Sequence, residues 1–212
     1  MNRLLASWLL AAGCALPLGA AEGGKSISLF DGKSFAGWEG DTNNSWRIQD
    51  GAIMAGSLDK KFPRNEFLCT TRPFTNFVLR LKVRLHGTEG FVNGGVQVRS
   101  ERIKNPPNEM SGYQADIGAG WWGALYDESR RNKVLAKPEA TVVEKALKVD
   151  GWNDYEVRCE GRRVRLALNG TPTVDYTEED TALVQSGRIG LQIHGNGITE
   201  IAYKDIVIEE LP

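Results

Sequence analysis

Alternation of apolar and polar residues dominates the chain and predicts short β-strands. Across residues 79–86, three leucines and a valine alternate with three basic residues and a histidine, so one face of the segment is apolar and the other is charged. Residues 155–160 repeat this pattern, turn at Gly161 and Arg162, and resume it through Leu168. These segments are typical of antiparallel strands with one buried face, and together they predict a β-meander.

Tight-turn dipeptides punctuate the rest of the chain. Asp50 and Gly51 predict a hairpin between two short apolar segments, and Asn169 and Gly170 end the meander. Later strands are expected over residues 189–193 and 201–208.

Helical periodicity is weak. The best candidates are two short segments, around Glu128–Leu135 and Thr177–Val184, and residues 133–150 resemble a long loop. Many short strands separated by turns therefore predict an all-β fold: a sandwich of two antiparallel sheets, such as a jelly roll.

The first 21 residues have the layout of a secretory signal peptide. Arg3 supplies a positive charge, Leu4–Ala12 form an apolar core, and small residues lead to Ala21. We therefore expect an exported protein, periplasmic or secreted, whose single domain covers residues 26–212. Cys14 offers a lipid-anchor site as a second interpretation.

Charge and hydropathy limit the classes of molecule that the protein could bind. The 26 basic and 27 acidic residues nearly cancel to a net charge of -1, which argues against nucleic acid, and no later apolar segment is long enough to span a membrane. A neutral ligand fits better. Cys69 and Cys159 could form a disulfide or remain buried thiols, and two histidines alone cannot make an ordinary zinc site.

Residues 112–131 are the most unusual part of the sequence. They combine paired tryptophans, two tyrosines, three acidic residues and two arginines with several glycines. Aromatic faces stack on sugar rings, and charged groups bind hydroxyls, so the segment predicts a carbohydrate site. The alternative is a surface loop whose tryptophans cover a sheet edge.

The order of several motifs resembles the bacterial 3-keto-disaccharide hydrolase domain family, which has a concanavalin A-like jelly-roll fold. The resemblance extends over nearly the whole mature chain. The motifs are residues 28–33, 37–38, 46–51, 93–99, 112–116, 123–126, 152–155, 168–170 and 190–195.

One motif departs from the family pattern. Many members have Gly-Tyr-Glu-x-Gln, where this chain has Gln114 and Asp116, so the carboxylate lies two positions further along the strand. A two-residue step keeps it on the same face of a sheet.

The resemblance implies cleavage of a glycoside whose C3 hydroxyl has been oxidised to a ketone. The ketone acidifies the C2 hydrogen, so a base can remove it and the group at C1 can leave by elimination. Asp116 and His194 are the candidate bases, and Glu128 is the candidate proton donor to the leaving oxygen. Each has a structural alternative: an ion pair for Asp116, a backbone hydrogen bond for His194 and a helix start for Glu128.

An enolate stabiliser is also required. Arg99, Lys137, or a divalent metal held by Asp116, Asp127 and Glu128 could provide it, although no cofactor is strongly indicated. Substrate binding is assigned to Arg99, Tyr113, Gln114, Trp121, Trp122, Tyr126, Asp127, Arg130 and Gln192.

Two other functions stay open at this point. A lectin-like module could use the same face to bind sugar without turnover, since one fold can host both functions. A two-carboxylate glycosidase would favour acidic residues alternating along one strand, and the sequence has no such run.

Overall fold

The computed structural model describes residues 25–212, and the predicted signal peptide and Cys14 lie outside the described residues. Its regular secondary structure is almost entirely β-strand. Its elements are β1 (Ser26–Ser28), β2 (Trp38–Glu39), β3 (Trp46–Gln49), β4 (Ala52–Gly56), β5 (Glu66–Thr70), β6 (Phe77–Gly90), β7 (Asn93–Arg102), β8 (Met110–Gly118), β9 (Leu125–Glu128), β10 (Lys133–Ala136), α1 (Ala140–Ala146), β11 (Asn153–Glu160), β12 (Arg163–Leu168), β13 (Thr171–Thr177), β14 (Arg188–Ile193) and β15 (Gly197–Glu210).

The strands form two antiparallel sheets, as the sequence predicted. The first sheet has the order β13-β12-β11-β6-β15-β4-β3, with β1 paired to β15, and the second has the order β10-β9-β8-β7-β14-β5-β2. Neighbours such as β15 and β6 are far apart in sequence, which is typical of a jelly-roll sandwich rather than a simple meander. The predicted meander is the β11-β12-β13 edge of the first sheet.

One continuous apolar core fills the space between the sheets. The alternation predicted in β6 is observed: Leu79, Leu81 and Val83 are buried, and Arg80 between them is exposed. Val96, Ile117 and Leu191 contribute from the second sheet. Burying such a side chain contributes roughly 1.5–3 kcal/mol to the stability of the fold. The apolar side of each alternating strand therefore faces the space between the sheets.

Both helix predictions are wrong. Residues 128–135 form the end of β9, a turn and β10, and the turn places Ser129 and Asn132 at φ values of 50° and 51°, which an α-helix cannot contain. Residues 177–184 contain no helix. The only helix among the described residues, α1, lies in the predicted 133–150 loop. Its seven residues are too few for a clear periodic signal.

The two cysteines are buried free thiols, Cys69 on β5 and Cys159 on β11. This resolves the disulfide question in favour of the thiols. Within residues 25–212, no helix has the length and apolar character needed to cross a bilayer.

Candidate functional site

The second sheet presents a polar face on the side turned away from the core. Every second residue of four adjacent strands points to this side, because the residues between them pack into the apolar core. Register brings them into rows, with Asp116 opposite Gly95 and Gly95 opposite Gln192. We call this set the polar face: Asn93, Gly95, Gln97, Gln114, Asp116, Tyr126, Glu128, Gln192 and His194.

Gly95 makes the centre of the polar face possible. A Cβ atom at this position would lie 2.5 Å from Cδ of Gln114, so the Gln114 side chain occupies the space that any other residue would fill. The Gln114 side chain therefore lies beside Gln97. Nε2 of Gln97 donates a 2.9 Å hydrogen bond to Oε1 of Gln114. The missing side chain lets groups from β8 and β14 face one another across β7.

Asp116 is the most deeply buried acid of the polar face, at 4% exposure. Its Oδ1 accepts 2.9 Å hydrogen bonds from Nδ2 of Asn93 and from the backbone N–H of Ile117. Neither of these bonds involves the other carboxyl oxygen, Oδ2. Burial raises the pKa of Asp116 to about 7, and the nearby charge of Glu128 adds to the rise. The carboxyl group therefore changes its charge near neutral pH.

Glu128 is a second acid with the same property. Burial raises its pKa to about 7, and the charge of Glu109, from the loop before β8, acts in the same direction. Burial raises the pKa of Glu109 as well. Three carboxyl groups thus share one partly desolvated region, where the protonated forms are favoured over the ionised forms.

A buried glutamine lies beside these acids. Gln192 is fully buried, and neither atom of its amide has a hydrogen-bond partner of normal geometry within residues 25–212. Its amide is still close enough to Glu128 to lower the pKa of that carboxyl group. A buried amide without partners costs free energy, so this group is well placed to bind a ligand.

His194 and three aromatic residues border one end of the polar face. Nδ1 of His194 donates a 2.7 Å hydrogen bond to the Gly195 carbonyl, so Nε2 of the neutral ring carries no proton. The ring packs edge-on against Phe91 at 4.5 Å, and Trp121 contacts Phe91 at 6.5 Å and Tyr126 at 6.0 Å between centroids. The backbone bond expected as the structural alternative for His194 is present, and the second ring nitrogen remains available.

The structure therefore brings together seven of the residues predicted from sequence. They share one sheet face or its border and are Gln114, Asp116, Trp121, Tyr126, Glu128, Gln192 and His194.

Tyr113, Asp127 and Arg130 are corrections to the predicted binding set. Tyr113 and Asp127 are adjacent in sequence to Gln114 and Glu128, and strand alternation turns them to the opposite face. There Asp127 is fully buried and accepts hydrogen bonds from Arg130 and Arg131. Tyr113 donates a 2.8 Å hydrogen bond to Glu178, and the Arg130 guanidinium lies 4.4 Å from the Tyr113 ring centroid. This network is structural.

Arg99 is a second correction. It lies at a strand irregularity with φ 49° and is 2% exposed, and its guanidinium donates to the carbonyls of Thr75 and Gly161 and to Gln185 and Asn76. It is therefore not a group of the polar face.

Trp122 and the suggested metal set are also displaced from the polar face. Trp122 is buried against the core, whereas the Lys137 ammonium group lies 5.6 Å from the centroid of the Trp121 ring, at the border of the polar face. Because Asp127 faces the core, it cannot join Asp116 and Glu128 around one ion. Within residues 25–212, no three metal-ligating side chains are grouped to hold a metal.

Sequence reasoning missed Asn93, Gln97, Glu109 and Phe91. The first two could have been found, since Asn93, Gly95 and Gln97 are the polar or small members of an alternating strand. Glu109 and Phe91 come from loops, whose position relative to a sheet has no local signal.

The family described as 3-keto-alpha-glucoside-1,2-lyase-like domain matches residues 25–209. The chain belongs to this family. Its function is accordingly related to carbohydrates, and the resemblance found in the sequence is confirmed. No curated protein matches the chain.

Solved structures agree on the fold. A proposed glycosyl hydrolase from Parabacteroides distasonis ATCC 8503 is 18% identical with a TM-score of 0.65, covering 90% of this chain and 95% of its own. Carbohydrate-binding module CBM66 from Bacillus subtilis is 15% identical with a TM-score of 0.64, covering 82% and 96%. A Bacillus subtilis protein with a galectin-like fold is 9% identical with a TM-score of 0.56, covering 88% and 94%. At these identities the likeness supports the jelly-roll fold alone.

Proposed function

We propose that this protein cleaves 3-keto-glycosides by removing the C2 proton, expelling the group at C1 and then adding water. The observation that carries the proposal is the placement of two carboxyl groups, Asp116 and Glu128, on one sheet face, where burial raises the pKa of each to about 7. Elimination needs one group that accepts a proton and one that donates a proton at the same pH. Family membership supports the substrate class.

Asp116 is the proposed base. Its Oδ1 is anchored by two hydrogen bonds, so Oδ2 is the oxygen that takes the C2 proton. The C–H electron pair forms an enolate with the C3 ketone oxygen. A carboxylate with a raised pKa is a stronger base than an exposed one, which favours this transfer.

Glu128 is the proposed acid. As the enolate collapses, a double bond forms between C1 and C2, the C1–O bond breaks, and the leaving oxygen takes the Glu128 proton. Glu128 is paired with Gly112, four residues before Asp116, so about 13 Å of strand separates the two rows and a sugar ring can lie between the side chains. Water then adds across the C1–C2 double bond: its oxygen bonds to C1 and a proton returns to C2, which gives the free 3-keto sugar.

The buried amides supply the remaining binding groups. Within residues 25–212 the Gln192 amide makes no hydrogen bond of normal geometry, so it can donate to the enolate oxygen at the cost of only its weak interaction with Glu128. Trp121 and Tyr126 offer ring surfaces for the sugar, and His194 offers Nε2 for a hydroxyl group or for the proton transfer itself. We expect no metal to be needed.

A panel of 3-keto-disaccharides, with and without chelator, tests the proposal. In deuterated water, the enzyme should release the 3-keto sugar and introduce deuterium at C2, which mass spectrometry detects. Activity should follow a bell-shaped pH profile centred near 7, because Asp116 must be ionised and Glu128 protonated. Chelator should leave the rate unchanged.

Matched variants separate chemistry from binding. Asp116→Asn and Glu128→Gln should each lower kcat about 10²–10⁴-fold, whereas Asp59→Asn, at an exposed site, should not. Reversible binding of an unmodified sugar without turnover of any 3-keto substrate would show a binding module instead. Cleavage of unoxidised sugars alone would rule out elimination.

A further inference from the structure

An apolar cavity opens at one end of the sandwich, beside the polar face but separate from it. Its volume is about 610 Å³, within the range of ordinary ligand sites. Leu85, Val92, Trp122, Val143 and Leu147 form its walls, and they come from β6, the β6–β7 turn, the 119–123 turn, α1 and the segment after α1.

Two pairs of consecutive residues link the cavity to the border of the polar face. Phe91 and Trp121 border the polar face, and their neighbours Val92 and Trp122 line the cavity. Lys137 connects the two spaces, since it lines the cavity while its ammonium group lies 5.6 Å from the centroid of the Trp121 ring. The cavity and the aromatic border of the polar face are thus built by the same two turns.

The lining of the cavity indicates an apolar occupant. Val149, among the lining residues, is 77% exposed, so an apolar ligand in the cavity could cover its side chain. Charged groups are confined to Lys137, Glu144 and Asp150, so the polar contacts available are few. A second sugar ring would leave its hydroxyl groups largely unpaired against these walls.

We propose that this cavity is the aglycone site and that it selects glycosides with an aromatic, non-sugar aglycone. The inference rests on the proposed function, in which the aglycone leaves from C1 at the polar face. The flat apolar group would pass the Phe91–Trp121 border and lie against Trp122, and the cavity would distinguish such substrates from disaccharides.

Two synthetic substrates test this assignment: the methyl and 2-naphthylmethyl 3-keto-glucosides of the same anomeric configuration. Both release an alkyl alcohol, so their intrinsic reactivity is matched and a difference in KM reports the aglycone contact. We expect a KM at least tenfold lower for the naphthylmethyl substrate. Val149→Asp should raise that KM about fivefold, since each buried CH₂ is worth roughly a factor of four, and should leave the methyl substrate unchanged.

Val184→Asp is the matched control, because Val184 is 70% exposed and lies away from this cavity. It should change neither substrate. Calorimetry with 2-naphthylmethanol gives a second measurement, and its binding should weaken in Val149→Asp but not in Val184→Asp. Cleavage of both substrates with equal KM, unaffected by Val149→Asp, would overturn the aglycone assignment and leave the proposed function standing. Failure to cleave either substrate would overturn the proposed function as well.

Discussion

Replacing Asp116 with asparagine should change how stability depends on pH. The pKa of Asp116 rises from 3.8 to about 7 on folding because the carboxyl group is desolvated. The native state therefore holds a proton that the unfolded state releases above pH 3.8, and stability falls as pH rises until the native group ionises near pH 7. The asparagine side chain has no such proton and can still accept the two hydrogen bonds at Oδ1.

The magnitude follows from the pKa values. At about 1.4 kcal/mol per pKa unit, the interval from pH 5 to about 7 costs wild type about 3 kcal/mol. Glu128 contributes a similar decline, but it is present in both proteins and largely cancels in the comparison. The wild-type free energy of unfolding should thus fall about 3 kcal/mol more than that of Asp116→Asn between pH 5 and pH 8.

Urea denaturation at pH 5, 6, 7 and 8 measures this difference, with Asp59→Asn as an exposed control that should follow wild type. The variant should be relatively more stable at pH 8 than at pH 5. Parallel pH profiles for wild type and Asp116→Asn, within about 0.5 kcal/mol, would show that the Asp116 carboxyl is not desolvated in the folded protein. The proposed base would then lose its physical basis.

Three further substitutions test the structure around the polar face. Gly95→Ala should cost about 1–3 kcal/mol in urea denaturation because its Cβ displaces the buried Gln114 side chain; an unchanged midpoint would contradict the close packing. Asp127→Asn should lower the free energy of unfolding by about 2–3 kcal/mol. This is less than the loss of a fully buried ion pair would cost, since Arg131 is 23% exposed. An unchanged thermal midpoint would show that the Asp127–arginine contacts do not stabilise the fold. Tyr155→Phe removes a hydroxyl that donates to a backbone carbonyl at 2.8 Å and accepts from a backbone N–H at 3.1 Å. Amide hydrogen exchange of residues 116–123 should therefore become about tenfold faster or more. Unchanged protection of these amides would show that the Tyr155 hydroxyl does not hold this turn.

Much of the candidate site follows from alternation along single strands. Asn93 and Gln97 were missed although Gly95 between them continues the same pattern. Tyr113 and Asp127 are residue types common in sugar sites, but they face the core because consecutive strand residues face opposite sides. Glu109 and Phe91 could not have been predicted, since loop paths depend on packing against distant segments.

Local sequence determined the strands, the tight turns and the all-β class, because hydrophobic periodicity and turn chemistry act over a few residues. Only the tertiary structure decided which faces became neighbours. β7 lies between β8 and β14, and this places Asp116 across Gly95 from Gln192, 76 residues later in the chain. The raised pKa values of Asp116 and Glu128 depend on this assembly, because desolvation is a property of the packed protein and not of a residue in its sequence.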